Sequence, residues 1–208
     1  MRIIAGTHRG RRYLPPRDEK TTRPITDRVK QSLFDRLWSM GALPDAPPNM
    51  QAQDADPPGT FRGLDIFCGT GSLGLEALSR GVDHCTFVDL DRDAVDRLKT
   101  NLTDLQLADR ARVVKASALN PIWLGQVKPG SINLIFLDPP YALAEDEKGA
   151  QDLARLMTDL AKVAAEDCLL SYRTETGITP APVEGWDGPT SHAYGSMTLH
   201  FFTRRPPA

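Results

Sequence analysis

Four consecutive residues, Asp138-Pro139-Pro140-Tyr141, follow the apolar run INLIFL, which reads as a buried strand. The two prolines fix the backbone and remove two N–H donors. The carbonyls there remain as acceptors, and an ionised Asp138 carboxylate also only accepts. A cluster that only accepts hydrogen bonds suits an exocyclic NH2 group, which donates twice. Tyr141 beside it can stack on a base, a contact worth about 1–3 kcal/mol. The set suits capture of a planar, amine-bearing ring with its nitrogen held in one direction. Asp-Pro-Pro also occurs in plain turns. What favours a ligand site is its place at the carboxyl end of a strand, where open α/β sheets bind their ligands.

A second cluster lies upstream. The strand LDIF runs into Cys68-Gly69-Thr70-Gly71-Ser72-Leu73-Gly74, and a helix begins at once. Glycines let the backbone turn sharply and approach a ligand closely. The free N–H groups at the helix start then face that ligand. Asp89 ends the next strand, 20 residues after Gly69. A carboxylate there can accept both hydroxyls of a ribose, so the pattern points to a nucleoside-containing cofactor. G-x-G-x-x-G suits a dinucleotide equally well. Asp65, just before the turn, is placed to hold an ammonium or a water at the cofactor, or to cap backbone amides. No metal is expected. The three cysteines (Cys68, Cys85, Cys168) lack CxxC spacing, and none of the four histidines (His8, His84, His192, His200) stands at ligand spacing from another candidate.

These clusters need elements to position them. GLDIFC, HCTFVDL, ARVVKAS, INLIFLD and CLLSYRT read as strands. Helices are expected from about Ser72 to Arg80, Arg92 to Leu105 and Gly149 to Glu166. Strands alternating with helices predict an α/β fold, a doubly wound and mostly parallel sheet covered on both faces. The end, TSHAY and SMTLHFFTR, reads as an antiparallel hairpin turning near Gly195. Residues 1–14 read as a hairpin or arm, and 15–25 as loop. Thr26 can cap a helix to about Met40, with Val29, Leu33 and Leu37 on one face and Phe34 and Trp38 beside them in the core. Trp123 and Trp186 are expected to cover the sheet. Residues 44–60 hold five prolines and read as a flexible loop. The organisation expected is therefore a basic N-terminal hairpin and helix over 1–43, the loop over 44–60, and a catalytic domain over 61–208.

The chain has 208 residues, enough for one domain with a core. Its net charge of −2 hides an asymmetry: residues 1–40 carry ten Lys/Arg against four Asp/Glu, a net +6, which leaves −8 on the remainder. A basic arm on an acidic body points to a polyanion docking at one end. A solvated basic face without a partner gives the same charge count. No apolar run approaches the roughly 18 residues a membrane span needs. The start, MRIIAGTHRGRR, lacks the apolar stretch of a secretory signal. An odd cysteine count fits a reducing compartment, so the location expected is cytoplasmic.

The glycine turn, the acid ending the second strand and Asp138-Pro139-Pro140-Tyr141 together resemble the S-adenosylmethionine-dependent amino methyltransferases. The N-terminal blocks narrow the likeness. Arg2-Ile3-Ile4-Ala5-Gly6, Arg9-Gly10-Arg11 and Arg23-Pro24-Ile25-Thr26-Asp27-Arg28-Val29-Lys30 with Leu33-Phe34 resemble the RsmD-type 16S ribosomal RNA guanine-N2 methyltransferases, as does the run from Asp65 to Gly81. The resemblance spans nearly the whole chain apart from 44–60. It implies a class I methyltransferase (Rossmann-like) sheet and S-adenosyl-L-methionine as cofactor, leaving S-adenosyl-L-homocysteine. Asp65, Gly69 and Gly71 would line the methionine side and Asp89 would hold the ribose, with Phe67 and Leu90 in the same set. Ser117 and Ala118 stand near the adenine, where relatives often carry Asp or Asn. Asp138 and the Pro139 carbonyl would hold the target amine, with Tyr141 stacked on the guanine. Arg9, Arg11, Arg12, Arg23, Arg28 and Lys30 would meet phosphates of 16S rRNA, within a 30S subunit or an assembly intermediate, and the protein would act as a monomer. Relatives often have an acid in the fifth strand; here the run is Ser171-Tyr172-Arg173, and no role follows for it.

Three other readings use the same residues. A nicotinamide-dependent oxidoreductase accounts for Gly69–Gly74 and Asp89 but leaves Asp138–Tyr141 and the basic arm unexplained. A DNA methyltransferase acting on adenine N6 or cytosine N4 fits the acceptor cluster, and only the N-terminal likeness separates it. A non-catalytic RNA-binding assembly factor would keep only a relic pocket, against which the intact Gly69, Gly71, Asp89 and Asp138 speak.

Overall fold

The computed structural model describes residues 1–17, 25–44 and 59–206. Seven strands form one sheet: β1 (Arg62–Ile66), β2 (His84–Asp89), β3 (Ala111–Lys115), β4 (Ile132–Leu137), β5 (Ala164–Glu175), β6 (Trp186–Tyr194) and β7 (Met197–Arg204). Their order is β3-β2-β1-β4-β5-β7-β6. The first five run parallel, and β7 lies antiparallel between β5 and β6. This is the doubly wound sheet with a terminal hairpin expected from the sequence. The strand order reverses between β1 and β4, which opens a crevice at their carboxyl ends.

The helices are α1 (Asp27–Ser39), α2 (Ser72–Ser79), α3 (Arg92–Asp104), α4 (Tyr141–Glu145) and α5 (Glu147–Leu160). β4 is apolar from Leu134 to Leu137 because both its faces are covered there. Ile135 and Leu137 pack with Leu153, Leu156 and Leu160 of α5. Leu134 and Phe136 pack with Leu33, Phe34 and Leu37 of α1, and the Phe34 and Phe136 rings lie 5.7 Å apart. Residues 25–43 therefore share a core with the sheet. The expected flexible loop falls largely on residues 45–58, outside the described residues, as does Arg23.

Three local expectations change. The last long helix stops at Leu160, and Ala164 to Asp167 belong to β5. The Val163 carbonyl accepts from Ile132 N at 3.0 Å, and Ala164 pairs with Ile132. The apolar spacing that seemed to prolong the helix serves strand pairing. A short helix, α4, begins at Tyr141, where the Pro140 carbonyl accepts from Leu143 N at 2.9 Å. Trp38 is 56% exposed and not core. The buried face of α1 is Val29, Lys30, Leu33, Phe34 and Leu37.

The N-terminal residues are a hairpin docked on α2. Ile3 N donates to the Arg11 carbonyl and Gly10 N to the Ile3 carbonyl, each at 2.9 Å. Thr7 N reaches the Ser79 carbonyl at 2.8 Å. At Gly6 (φ 81°) a Cβ would lie 1.8 Å from that same carbonyl oxygen, so only glycine permits the approach. Beneath the hairpin, the fully buried Glu76 carboxylate accepts from Ile4 N (2.8 Å), Ala5 N (3.0 Å) and Arg80 Nε (2.9 Å). Lys30 Nζ lies 3.6 Å from it and donates to the Arg2 carbonyl at 2.9 Å. Lys30 is 1% exposed. It thus leaves the set of phosphate contacts. Burial pulls the Lys30 pKa down, and the charges of Glu76 and Asp27 offset part of that shift.

Replacing Glu76 by Ala strands the Lys30 ammonium and two backbone amides without their acceptor. Removing one partner of a buried pair costs about 3–5 kcal/mol. Urea unfolding of Glu76→Ala is expected to show a loss of that size, and a loss below about 1 kcal/mol would remove Glu76 as the anchor of the hairpin.

Candidate active site

The cofactor cluster is built where β1 turns into α2. Phe67 has φ 58°, unusual for a residue with a side chain, and Gly69 (φ 54°) and Gly71 (φ 91°) continue the left-handed course. The glycines do different jobs. A Cβ at Gly71 would meet Leu98 at 2.5 Å, so this glycine lets α3 pack close. A Cβ at Gly69 would meet nothing within 4 Å: its face looks into open space. Asp89, ending β2, accepts from Gly69 N at 2.7 Å and from Asp91 N at 2.9 Å. One carboxylate thus fixes the turn and keeps a lone pair on each oxygen for a further donor. Leu90 beside it is exposed.

Asp65 is buried in β1, and its Oδ2 accepts from Gly74 N at 2.8 Å. Of the roles expected for it, amide capping is the one observed. Burial pushes its carboxyl up to about 8, with the charges of Asp138 and Asp89 adding to the shift. That coupling places the three carboxyls around one crevice. After β3, Ser117 is partly exposed, whereas Ala118 is buried in the core and its carbonyl accepts from Trp123 Nε1 at 3.3 Å. Of that pair only the Ser117 side chain is partly exposed. The Cys68 thiol is pushed up by burial and the nearby carboxylates, which leaves it unactivated.

The amine-binding cluster stands at the end of β4. Asp138 N donates to the Ile66 carbonyl at 3.2 Å, which brings it beside the end of β1. Pro139 is buried, and Tyr141 opens α4 with its ring against the α1 side of the core. The residue missed from the sequence is Arg173. Leu137 pairs with Tyr172 across β4 and β5, so Asp138 and Arg173 come one step later on adjacent strands. Arg173 Nε donates to Asp138 Oδ1 at 2.5 Å and a terminal nitrogen to Oδ2 at 2.8 Å. Burial pulls the Arg173 pKa down, but the charge and hydrogen bonds of Asp138 outweigh it and the net shift is upward. Its guanidinium carbon lies 5.7 Å from the Tyr141 ring centre. A lone arginine inside an apolar strand, CLLSYRT, was the available signal.

Arg9, Arg11, Arg12 and Arg28 are exposed. Arg11 also donates to the Asp104 carbonyl at 2.6 Å, which ties the hairpin to the end of α3. Among the described residues no cluster of three or more His, Cys, Asp or Glu side chains is arranged to hold a metal. No helix among them is long and apolar enough to cross a membrane.

Residues 1–203 match the family model described as "Conserved hypothetical protein 95". Ribosomal RNA small subunit methyltransferase D of Escherichia coli K12 is 40% identical over 206 residues, covering 98% of this chain and 90% of that one. The chain belongs to this RsmD family. The Haemophilus influenzae protein of the same name is 38% identical over 142 residues, 68% of this chain and 64% of that one. Among solved structures, the Escherichia coli YhhF chain superposes with a TM-score of 0.70 at 29% identity, covering 98% of this chain and 97% of that one. An RNA methyltransferase of Salinibacter ruber, solved with S-adenosyl-L-homocysteine, has a TM-score of 0.57 at 12% identity over 89% of this chain and 95% of that one, a likeness of fold. The fold of this RsmD-family chain is that of the class I methyltransferases. Its residues fit a nucleoside cofactor: open space at Gly69, spare acceptor positions on Asp89 and apolar surface at Leu90.

Asp65 also makes stability depend on pH. Its carboxyl stays protonated in the fold up to about 8, whereas the unfolded chain releases the proton near 3.8. The folded state therefore binds more protons between those values, and stability falls as pH rises through that window. The slope from one such group is at most about 1.4 kcal/mol per pH unit. Asp65→Asn is expected to flatten urea-midpoint curves between about pH 5 and 8. Equal slopes in the two proteins would mean that the carboxyl is ionised in the fold.

Proposed function

We propose that this chain transfers a methyl group from S-adenosyl-L-methionine to the exocyclic N2 of a guanine in 16S rRNA, within a 30S subunit or an assembly intermediate. The observation that carries the reading is the placement of Asp138, Pro139 and Tyr141 at the end of β4, beside the glycine turn and Asp89 at the ends of β1 and β2. Family membership and the names of the relatives support it.

Gly69, Gly71 and Asp65 line the methionine end, Asp89 takes the ribose, and Leu90 and Ser117 flank the adenine. When bound, the cofactor supplies a methyl group made electrophilic by its sulfonium. The chain's own work is on the amine. The guanine N2 lone pair is delocalised into the ring, so the amine is a poor nucleophile. Accepting both its N–H bonds at the Asp138 carboxylate and the Pro139 carbonyl draws the nitrogen toward tetrahedral geometry and localises that lone pair; once methylated, the nitrogen gives up one N–H proton, which the Asp138 carboxylate takes. Tyr141 holds the ring plane. Such in-line placement supplies on the order of 7–11 kcal/mol. The base must first leave its stack, at a cost of a few kcal/mol. The N-terminal region supplies the docking surface, with Arg9, Arg12 and Arg28 on phosphates. Shape and a splayed-out base would specify the RNA more than groove reading.

The test is incubation with labelled S-adenosylmethionine and 30S subunits, naked 16S RNA or duplex DNA, then digestion and identification of the methylated nucleoside. N2-methylguanosine from 16S RNA is the expected product. N6-methyladenine or N4-methylcytosine from DNA would keep the site and overturn the partner. Asp138→Ala is expected to abolish transfer with RNA affinity nearly unchanged, and undiminished activity in that variant would sink the site assignment.

A further inference from the structure

The geometry points to Arg173 as a positioning residue whose guanidinium fork orients the Asp138 carboxylate and holds it as an ionised acceptor for the substrate amine. This inference rests on the function proposed above and deepens it.

A carboxylate has about four acceptor positions, and the fork takes one on each oxygen. One position per oxygen remains, in a plane set by the guanidinium. The bidentate pair has a fixed geometry that a single point charge cannot impose. The two side chains are only 10% and 16% exposed, so solvent screens the pair weakly. Strand register puts them side by side with no loop between. The same guanidinium stands 5.7 Å from the Tyr141 ring. Acceptor and stacking surface are thus framed by one group.

Charge gives the second reason. Among the described residues, Asp138 is paired with Arg173 from β5 and lies near Asp65 of β1, and Tyr141 of α4 stands on the other side of the guanidinium. In a crevice where both side chains are largely buried, a carboxylate without a cation takes up a proton more readily. A protonated Asp138 presents an O–H to the amine at one oxygen and loses an acceptor. Arg173 works against that exchange.

The test compares Arg173→Met and Arg173→Lys with the wild type. For Arg173→Met, kcat near pH 7.5 is expected to fall on the order of 10–100-fold, the range seen when a group that orients a ligand is removed. The KM for the cofactor stays within about twofold. The acid limb of the pH–rate profile moves to higher pH, so activity partly recovers at alkaline pH. Arg173→Lys keeps the charge and loses the fork, so kcat falls with the acid limb in place. A merely structural role would lower kcat at every pH and leave the limb where it was. Wild-type kcat and profile in Arg173→Met, or higher activity, would overturn the inference; the latter would mean that the guanidinium occupies the amine's place. If Arg173→Met does not fold, Arg173→Lys decides, and a wild-type kcat there overturns the fork. If the wild-type protein methylates no nucleic acid, the functional reading fails by itself. The carboxyl 13C resonance of Asp138, assigned with Asp138→Asn, then decides. Titration at higher pH in Arg173→Met than in the wild type supports the role of the charge, and an identical titration overturns it.

Discussion

A buried carboxylate, Glu76 of α2, joins the N-terminal hairpin and α1 to that helix, and the placement of the hairpin's arginines depends on it. Its donors come from three segments: the backbone at Ile4 and Ala5, Lys30 on α1, and Arg80 at the end of α2. Such a hub tolerates no missing partner, because each buried donor would be left without an acceptor. The chain leaving the hairpin then runs past the glycine turn. Tyr13 donates to Ser72 Oγ at 2.9 Å, and Asn101 Nδ2 bridges the Leu14 and Thr70 carbonyls at 3.2 and 3.1 Å. The hairpin that carries the exposed arginines and the glycine turn are therefore tied together by side-chain hydrogen bonds.

The crevice gathers three carboxyls, and each is accommodated by different means. Asp65 is buried, takes one amide and keeps its proton. Asp89 is held by two backbone amides. Asp138 is held by a guanidinium. Like charges at close range cannot all ionise without compensation. The division leaves acceptors at Asp89 and Asp138, where ribose hydroxyls and an amine would donate.

What was legible in the sequence was what local chemistry dictates. The glycines at 69 and 71 declare a left-handed turn, the apolar run of β4 declares a strand covered on both faces, and the Pro-Pro pair declares a strand end. What was not legible depends on contacts distant in sequence. Lys30 reads as surface charge because its partner, Glu76, lies 46 residues away and nothing local marks that carboxylate as buried. Ala164 to Glu166 continue a helical spacing until Ile132 pairs with Ala164 and the segment joins the sheet. Trp38 has the side chain of a core residue, but Leu37 beside it already fills the face toward the sheet. Arg173 was the readable exception: a charge inside an apolar strand implies a buried partner, and the strand ending in Asp138 supplies it.

On the proposed reading, chemistry and recognition are divided between two parts of the molecule. An acceptor-only pair at Asp138 and Pro139 suits the exocyclic amines of guanine, adenine and cytosine alike, since each donates two N–H bonds. Stacking on Tyr141 is equally tolerant, because every base has a π-face. Selection must then come from which base is delivered, and delivery is the task of the docking surface. Phosphate contacts position a nucleic acid without reading its sequence. Their value here lies in rigidity: a hairpin bound through Glu76 to α2 moves with the helix whose first turn faces the cofactor. A phosphate held at Arg9 or Arg12 therefore has a fixed relation to the methyl donor, and a displacement of about 1 Å at that distance is enough to cost a large part of the rate.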